Sequence, residues 1–399
     1  MAGPLNWLAQ VASVTWFGIL AIPQRLGSVL AAVVGIAGVA AVMLSLLSIS
    51  AGFQKAMNAS ASPDDAIVLR SGADSEMVSG ISRDNSRVIA DAPGLARDPT
   101  GPLSSAELFV IINLPMRSRD SEANVPMRGV EPAAFKVRDH FKIIQGRQFQ
   151  WGRNEIMVGS GAARQFKGLE CGRTLVVGRN EWPIVGVFSA GGGVAESEIW
   201  MDATVLQQIY HRGDTFQSVY TKLSSTASFN QFKDSLTTNP QLSVQVLRQS
   251  DYYASQSTQM TRLITTLGYL ITFLMGLGAV FVALNTMYSA VAARTREIAT
   301  LRALGFGGGS VVTSVILEAL LLGLAGGAVG ASIAYFCFNG FQTATVNFQS
   351  FSQVTFSFDV TSRLLVQGVV LSALIGLVGG LPPAIRALRL PIAAALREL

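Results

Sequence analysis

The chain has 399 residues, of which 50% are hydrophobic, 14% are charged and 39 are glycine, with a formal net charge of +5. That composition points to a membrane protein carrying a sizeable water-soluble part, and the lack of a Lys/Arg run interleaved with aromatics argues against nucleic-acid binding. Two cysteines, Cys171 and Cys337, exclude a disulfide framework. Two histidines, His140 and His211, have no Cys or His at ligand spacing, so no metal site is expected.

In chain order, residues 5–22 carry no charge, with Asn6, Gln10 and Ser13 at helical spacing and Trp7 and Trp16 of the type found at membrane interfaces. An amphipathic helix in the interface is favoured over a first span, and the missing basic leader argues against a cleaved signal peptide. The break at 23–25 precedes the first clear span, 26–49, where Gly27, Ala31, Gly35, Gly38 and Ala41 allow close helix approach. With no breaker until about Pro63, that helix is expected to continue past the membrane.

Residues 61–250 hold most of the charge and are long enough for their own core. Their pattern is α+β, with strands expected at 66–70, 108–114, 125–130, 155–158, 174–177, 182–188 and 198–201 and helices at 75–90, 132–141 and 204–210. A β-α-β run over 217–247 closes the segment. The glycines at 159–161 and 191–193 lack phosphate-loop spacing and read as turns. No Ser/His/Asp or paired-carboxylate arrangement emerges.

Residues 251–309 organise the whole chain. No charge occurs from 263 to 291, and the helical pattern continues upstream to Asp251 and downstream into 292–304, closed by the Gly-rich stretch 305–309. A helix over 251–293 is about 60 Å long, twice the roughly 30 Å of hydrocarbon. A third span follows at 311–338, then a loop to 362, then a fourth span at 364–381 ended by Pro382 and Pro383. Arg25, Arg294, Arg296, Arg302, Arg386, Arg389 and Arg397 place both termini and the loop near 300 in the cytoplasm, against the isolated Lys55, Arg262 and Arg363. The soluble segment is then extracytoplasmic.

The stretches ARTREIATLRALGF, LEALLLGLAGGAVGA and PPAIRALRLPIAAALREL resemble the FtsX/MacB-type ABC transporter permeases, the type VII or mechanotransmission systems. The likeness covers nearly the whole chain and is strongest in the membrane part; 130–149 and 182–188 also look like the family's periplasmic core domain. It implies an α-helical membrane protein with four transmembrane helices and a large α+β periplasmic domain inserted between the first and second. The layout is 1–25 interfacial helix, 26–60 first span and extension, 61–250 core domain, 251–293 stalk and second span, 294–310 coupling helix and loop, 311–339 third span, 340–362 periplasmic loop, 363–385 fourth span and 386–399 tail. The coupling segment, which in the family docks in a groove of the ATPase, carries over to Arg294, Arg296, Glu297, Ile298, Leu301, Arg302, Leu304 and Gly305. Ile298, Leu301 and Leu304 fit an apolar ridge flanked by the charges.

No Walker A motif occurs, so no cofactor is expected in this chain, and ATP and Mg²⁺ belong to a separate ABC ATPase subunit. The resemblance further implies a second permease copy, the lipids of a bacterial inner membrane, and a periplasmic adaptor with an outer-membrane channel. The chain itself is then no enzyme but a permease that relays ATP-driven motion to export a periplasmic or outer-leaflet substrate. The alternatives are extraction of lipoprotein or lipid, and regulation of a periplasmic hydrolase without transport. Glu318 stands inside the third span, where a carboxylate is costly. It snorkels, is neutral, or pairs inside the bundle with Arg294 or Arg302; the last is the working hypothesis.

Overall fold

The computed structural model describes residues 4–59, 62–118, 121–347 and 351–389. The tail beyond 389, including Arg397, lies outside the described residues. The chain forms two compact units. One comprises Gly52–Arg262 together with Gln342–Ser357, and the other holds the remaining membrane-type helices. Among the described residues, four helices are long and apolar enough to cross a membrane.

The first of these helices, Leu26–Ala59, runs without interruption through Gly52. Within the bundle, Ala32, Ile36, Ala40 and Leu44 form a buried stripe at four-residue spacing, while Leu26, Leu30 and Val34 stay exposed. The second helix spans Gln249–Ala293, 45 residues or about 68 Å. It begins at Gln249, two residues before the expected start at Asp251, because the strand Val244–Arg248 leads straight into it. Leu263, Leu267, Leu270, Phe273, Leu274, Leu277 and Phe281 are exposed along it, a surface that is stable only in lipid or against another apolar face.

The third and fourth helices, Gly308–Phe338 and Ser362–Leu388, pack backbone to backbone. A Cβ on Gly323 would lie 2.5 Å from the Ser372 carbonyl oxygen, and one on Gly376 would lie 2.4 Å from that of Ala319. Small residues thus set the spacing. The fourth helix does not end at Pro382 and Pro383 as expected but continues to Leu388. Tertiary packing holds the last turns: Ala384 and Ala387 are buried in the bundle core, and Arg302 donates to the Leu388 carbonyl. The N-terminal helix, Pro4–Leu20, packs along the third helix with Val11 and Val14 buried, and Thr15 Oγ1 donates to Ser314 Oγ at 3.2 Å.

The soluble unit is built on a ten-stranded mixed sheet among the described residues. Its order is Val244–Arg248, Asp65–Arg70, Ser218–Lys222, Ser104–Pro115, Glu122–Val130, Ile199–Asp202, Ile156–Gly159, Asn180–Ala190 and Phe141–Gly146. Thr174–Val177 pairs with the start of Asn180–Ala190. Pairing is antiparallel except between Glu122–Val130 and Ile199–Asp202, and between Ile156–Gly159 and Asn180–Ala190. Helices were expected over 75–90 and 132–141. The first stretch is a 3-10 turn, a two-residue strand and the helix Arg83–Ala90 capped by the Ser82 hydroxyl. The second yields only the single turn Ala134–Val137, after which residues 141–146 extend as the sheet's last strand.

Alternation in the central strands sorts side chains onto two faces. Leu108, Val110, Met127, Ile199 and Met201 share one apolar core. The register puts Phe109 opposite Arg128, Arg128 opposite Trp200, and Glu107 opposite Ser218, so the other face carries charge. The loop expected between the third and fourth spans contains a hairpin, Gln342–Val346 with Gln353–Ser357. This hairpin belongs to the soluble unit. Thr355 N donates to Ser197 Oγ at 2.8 Å, and Phe356 meets Phe53 edge-on at 5.6 Å.

Candidate functional site

At Arg294 the backbone leaves helical geometry, and a separate helix, Thr295–Ala303, begins. It ends at Gly305, whose φ of 96° lies in the left-handed region. Phe306 N donates to the Leu301 carbonyl at 3.1 Å and Gly305 N to that of Arg302 at 3.2 Å, the two bonds of a Schellman cap. The Gly stop therefore has a structural cause.

The ridge expected from Ile298, Leu301 and Leu304 does not form on one free face. Ile298 is buried with Met287, Val291, Val311 and Val315 in the chain's own bundle, so it is not available to a partner. Leu301 is half-buried, and Leu304 is 73% exposed. A nine-residue helix lying across a bundle turns its i and i+3 residues inward on one side, and Ile298 falls there. The outward surface consists of Arg296, Glu297, Thr300, Ala303 and Leu304. Arg302 donates from Nη1 to the Leu388 carbonyl at 3.0 Å, tying this helix to the end of the fourth span.

Glu318 is 3% exposed and meets Arg294, whose Nη1 donates to Oε2 at 3.1 Å. Its other oxygen pairs with Arg25 Nη2. Arg294 also approaches Glu297 Oε2 through Nε at 3.5 Å. One guanidinium thus bridges the exposed coupling helix and a carboxylate inside the third span. Gly18 of the N-terminal helix closes over this pair. A Cβ there would lie 2.9 Å from Arg294 Nη1 and 3.0 Å from Glu318 Oε2, so a larger residue would push the ends of these two side chains aside. Arg302, the other partner considered for Glu318, is engaged with Leu388 instead. Arg25 entered the sequence reading as an orientation marker alone. The signal that could have found it is simple: a carboxylate in an apolar span needs cations, and Arg25 and Arg294 sit at the ends of neighbouring spans.

A second buried ion cluster lies within the soluble unit. Arg128 donates from Nε and Nη2 to Glu198 at 2.8 and 2.8 Å, from Nη1 and Nη2 to Glu76 at 2.7 and 3.0 Å, and from Nη1 to Glu107 at 3.0 Å. All five guanidinium N–H groups are used. Arg138 adds a fork to Glu107 at 2.8 and 2.8 Å. Burial raises the Glu76 carboxyl, but the Arg128 charge and hydrogen bonds, with that from Ser218, outweigh it and hold the group below its ordinary value. The start of the long second helix closes this face: Tyr252 Oη accepts from Glu76 N at 3.3 Å, and Tyr253 Oη meets Tyr220 Oη at 3.2 Å. Burial, then the Glu76 charge, pushes the Tyr253 phenol up to about 12. No part of this cluster was anticipated, because its charges come from five separate segments.

The family model for the MacB-like periplasmic core domain matches residues 28–239, more than half of the chain, and that for the FtsX-like permease C-terminal region matches 269–392. The chain belongs to the FtsX/MacB-type ABC transporter permeases. It is 24% identical over 341 residues to a macrolide export ATP-binding/permease protein MacB of Hahella chejuensis, covering 78% of this chain and 48% of that protein. A MacB of Campylobacter fetus subsp. fetus is 36% identical over 116 residues, covering 29% of this chain and 17% of its own length. The chain thus spans about half the length of the curated relative matched over most of its own sequence. The periplasmic region of MacB from Actinobacillus actinomycetemcomitans aligns with a TM-score of 0.37 and 11% identity, over 49% of this chain and 93% of that one. This FtsX/MacB-type permease is a multi-pass membrane protein with a large α/β domain between its first and second spans.

Proposed function

We propose that the chain is the permease subunit of a bacterial ABC system that relays motion of a separate ATPase to its own soluble domain. Both termini would be cytoplasmic and the domain periplasmic, in the inner membrane. The ATPase binds ATP and Mg²⁺ and docks on Arg296, Glu297 and Leu304, the outward side of the coupling helix. The observation that carries this reading is Arg294: it links Glu297 on that helix to Glu318 and, through Glu318, to Arg25, so a push on the helix reaches the third helix and the turn before the first at one point.

From Arg294 the 45-residue second helix runs without a break to Tyr252 and Tyr253 on the charged face of the sheet. A helix of that length transmits displacement along its axis without passing through a loop. The substrate is a periplasmic or outer-leaflet molecule, passed outward with an adaptor and an outer-membrane channel. The apolar face of the second helix suits a second permease copy.

Photo-crosslinking in cells from a benzophenone amino acid at position 304, with mass spectrometry of the adduct, tests the docking assignment. An ABC ATPase is the expected adduct. Crosslinks to lipid alone would overturn it.

A further inference from the structure

A pocket of about 180 Å³ lies wholly within the soluble unit, where the first long helix ends at Ala59 and the second begins at Gln249. Asp65, Arg138, Phe141, Gln249 and Tyr253 line it, and exposed Pro63, Asp139 and His140 form its rim. Asp65 is 2% exposed and Gln249 is 1% exposed. Yet among the described residues Asp65 Oδ1 and Gln249 Oε1 have no hydrogen-bond partner. Buried acceptors are nearly always satisfied, so two in one pocket call for a donor from outside the chain. The neighbouring cations do not supply it: Arg138 gives both Nη groups to Glu107, and Lys222 pairs with Asp139. Lys222 and Arg138 act on Asp65 from nearby while spending their hydrogen bonds elsewhere, and the pocket it shares with Phe141 and Tyr253 offers aromatic rings that favour an organic cation.

We propose that this pocket binds a small organic cation, an alkylammonium head whose N–H groups satisfy Asp65 Oδ1 and Gln249 Oε1 while its carbon chain lies against Phe141 and Tyr253. The occupant touches the root of each long helix, so the two helices sense it together. Burial, more than its charged neighbours, raises the Asp65 carboxyl to about 7; an ammonium partner draws it down, so binding near neutral pH releases a proton.

The test is calorimetry and ligand-observed NMR on the full chain in nanodiscs, without ATPase or nucleotide, using n-butylammonium, with n-butanol and butyrate as isosteric controls and empty nanodiscs subtracted. Saturable n-butylammonium binding with proton release is expected, and no butyrate binding. Asp65→Asn should raise the dissociation constant at least tenfold and Gln249→Met about threefold; circular dichroism establishes that each variant folds. Equal binding of n-butanol, unchanged affinity in both variants, or no binding to 100 mM, which would mean that the acceptors hold water only, would each overturn the proposal. None of these outcomes bears on the ATPase-docking reading.

Discussion

The two buried ion clusters are built from the same residue types and differ in how completely they are satisfied. In the soluble unit every N–H of Arg128 has a carboxylate partner, and the cluster holds three glutamates to two arginines. In the membrane bundle the proportion reverses, with Arg25 and Arg294 on a single buried glutamate. Among the described residues, Nε and Nη1 of Arg25 find no hydrogen-bond partner. A saturated cluster has one arrangement, since any movement breaks a charged hydrogen bond. An under-satisfied one can exchange partners at smaller cost. The soluble cluster is therefore a clamp that fixes the root of the second helix, and under the proposed relay the membrane cluster is where a small displacement of the coupling helix would be registered.

The sharpest way to break that comparison is to remove the clamp. Arg128→Met leaves Glu76, Glu107 and Glu198 buried without their cation, a loss of about 3–5 kcal/mol. Thermal unfolding followed by the fluorescence of buried Trp182 and Trp200 should move down by ten degrees or more, or the domain should fail to fold. In contrast, Glu318→Leu should leave the soluble unit's melting unchanged. It sets Arg25 against Arg294, and ATP hydrolysis by the reconstituted complex should fall about tenfold or more, with Glu318→Gln intermediate. Equal melting losses in the two variants would erase the distinction between clamp and relay.

Coupling-helix variants separate packing from docking. Ile298→Ala removes a buried side chain and should cost about 2 kcal/mol of bundle stability, read as a lower melting temperature. Leu304→Asp lies on an exposed position and should change stability by less than about 0.5 kcal/mol. It should nevertheless reduce the ATPase retained on the purified permease several-fold, as should Glu297→Arg. Wild-type retention in Leu304→Asp would remove this helix from the docking surface.

What could be read from the sequence was what periodicity and local chemistry encode. The uncharged stretch 263–291, the Gly stop at 305 and the alternating strands of the soluble part all report on neighbours close along the chain. Long-range partners leave little trace. Arg128 looks like an exposed residue in a polar stretch until the segments carrying Glu76, Glu107 and Glu198 converge on it. Ile298 looks available until the bundle covers it. The 342–357 hairpin reads as a span-connecting loop because nothing local says that its Thr355 bonds Ser197. Pro382 and Pro383 misled for another reason: Ala384 and Ala387 pack into the bundle core, and that burial carries the helix past the prolines.

The smallest expected effect concerns Asp65, a loose carboxylate acceptor beside the clamp. Asp65 is buried at the edge of the Arg138 and Tyr253 environment, and burial holds its carboxyl at about 7 against an ordinary value of 3.8. Between those values the folded chain binds more protons than the unfolded chain, so stability must fall as pH rises through that window and level off above about 7. The full linkage would amount to about 4 kcal/mol. Solvent reaching the pocket past Asp139 and His140 reduces the span between pH 5 and 8 to roughly 1–2 kcal/mol, a few degrees in melting temperature for a domain of this size. Asp65→Asn should abolish that part of the pH dependence while leaving the Arg128 cluster intact. If the melting temperature of the variant follows pH as the wild type does, Asp65 shares the clamp's partners after all, and the saturated cluster extends one residue further than its hydrogen bonds show.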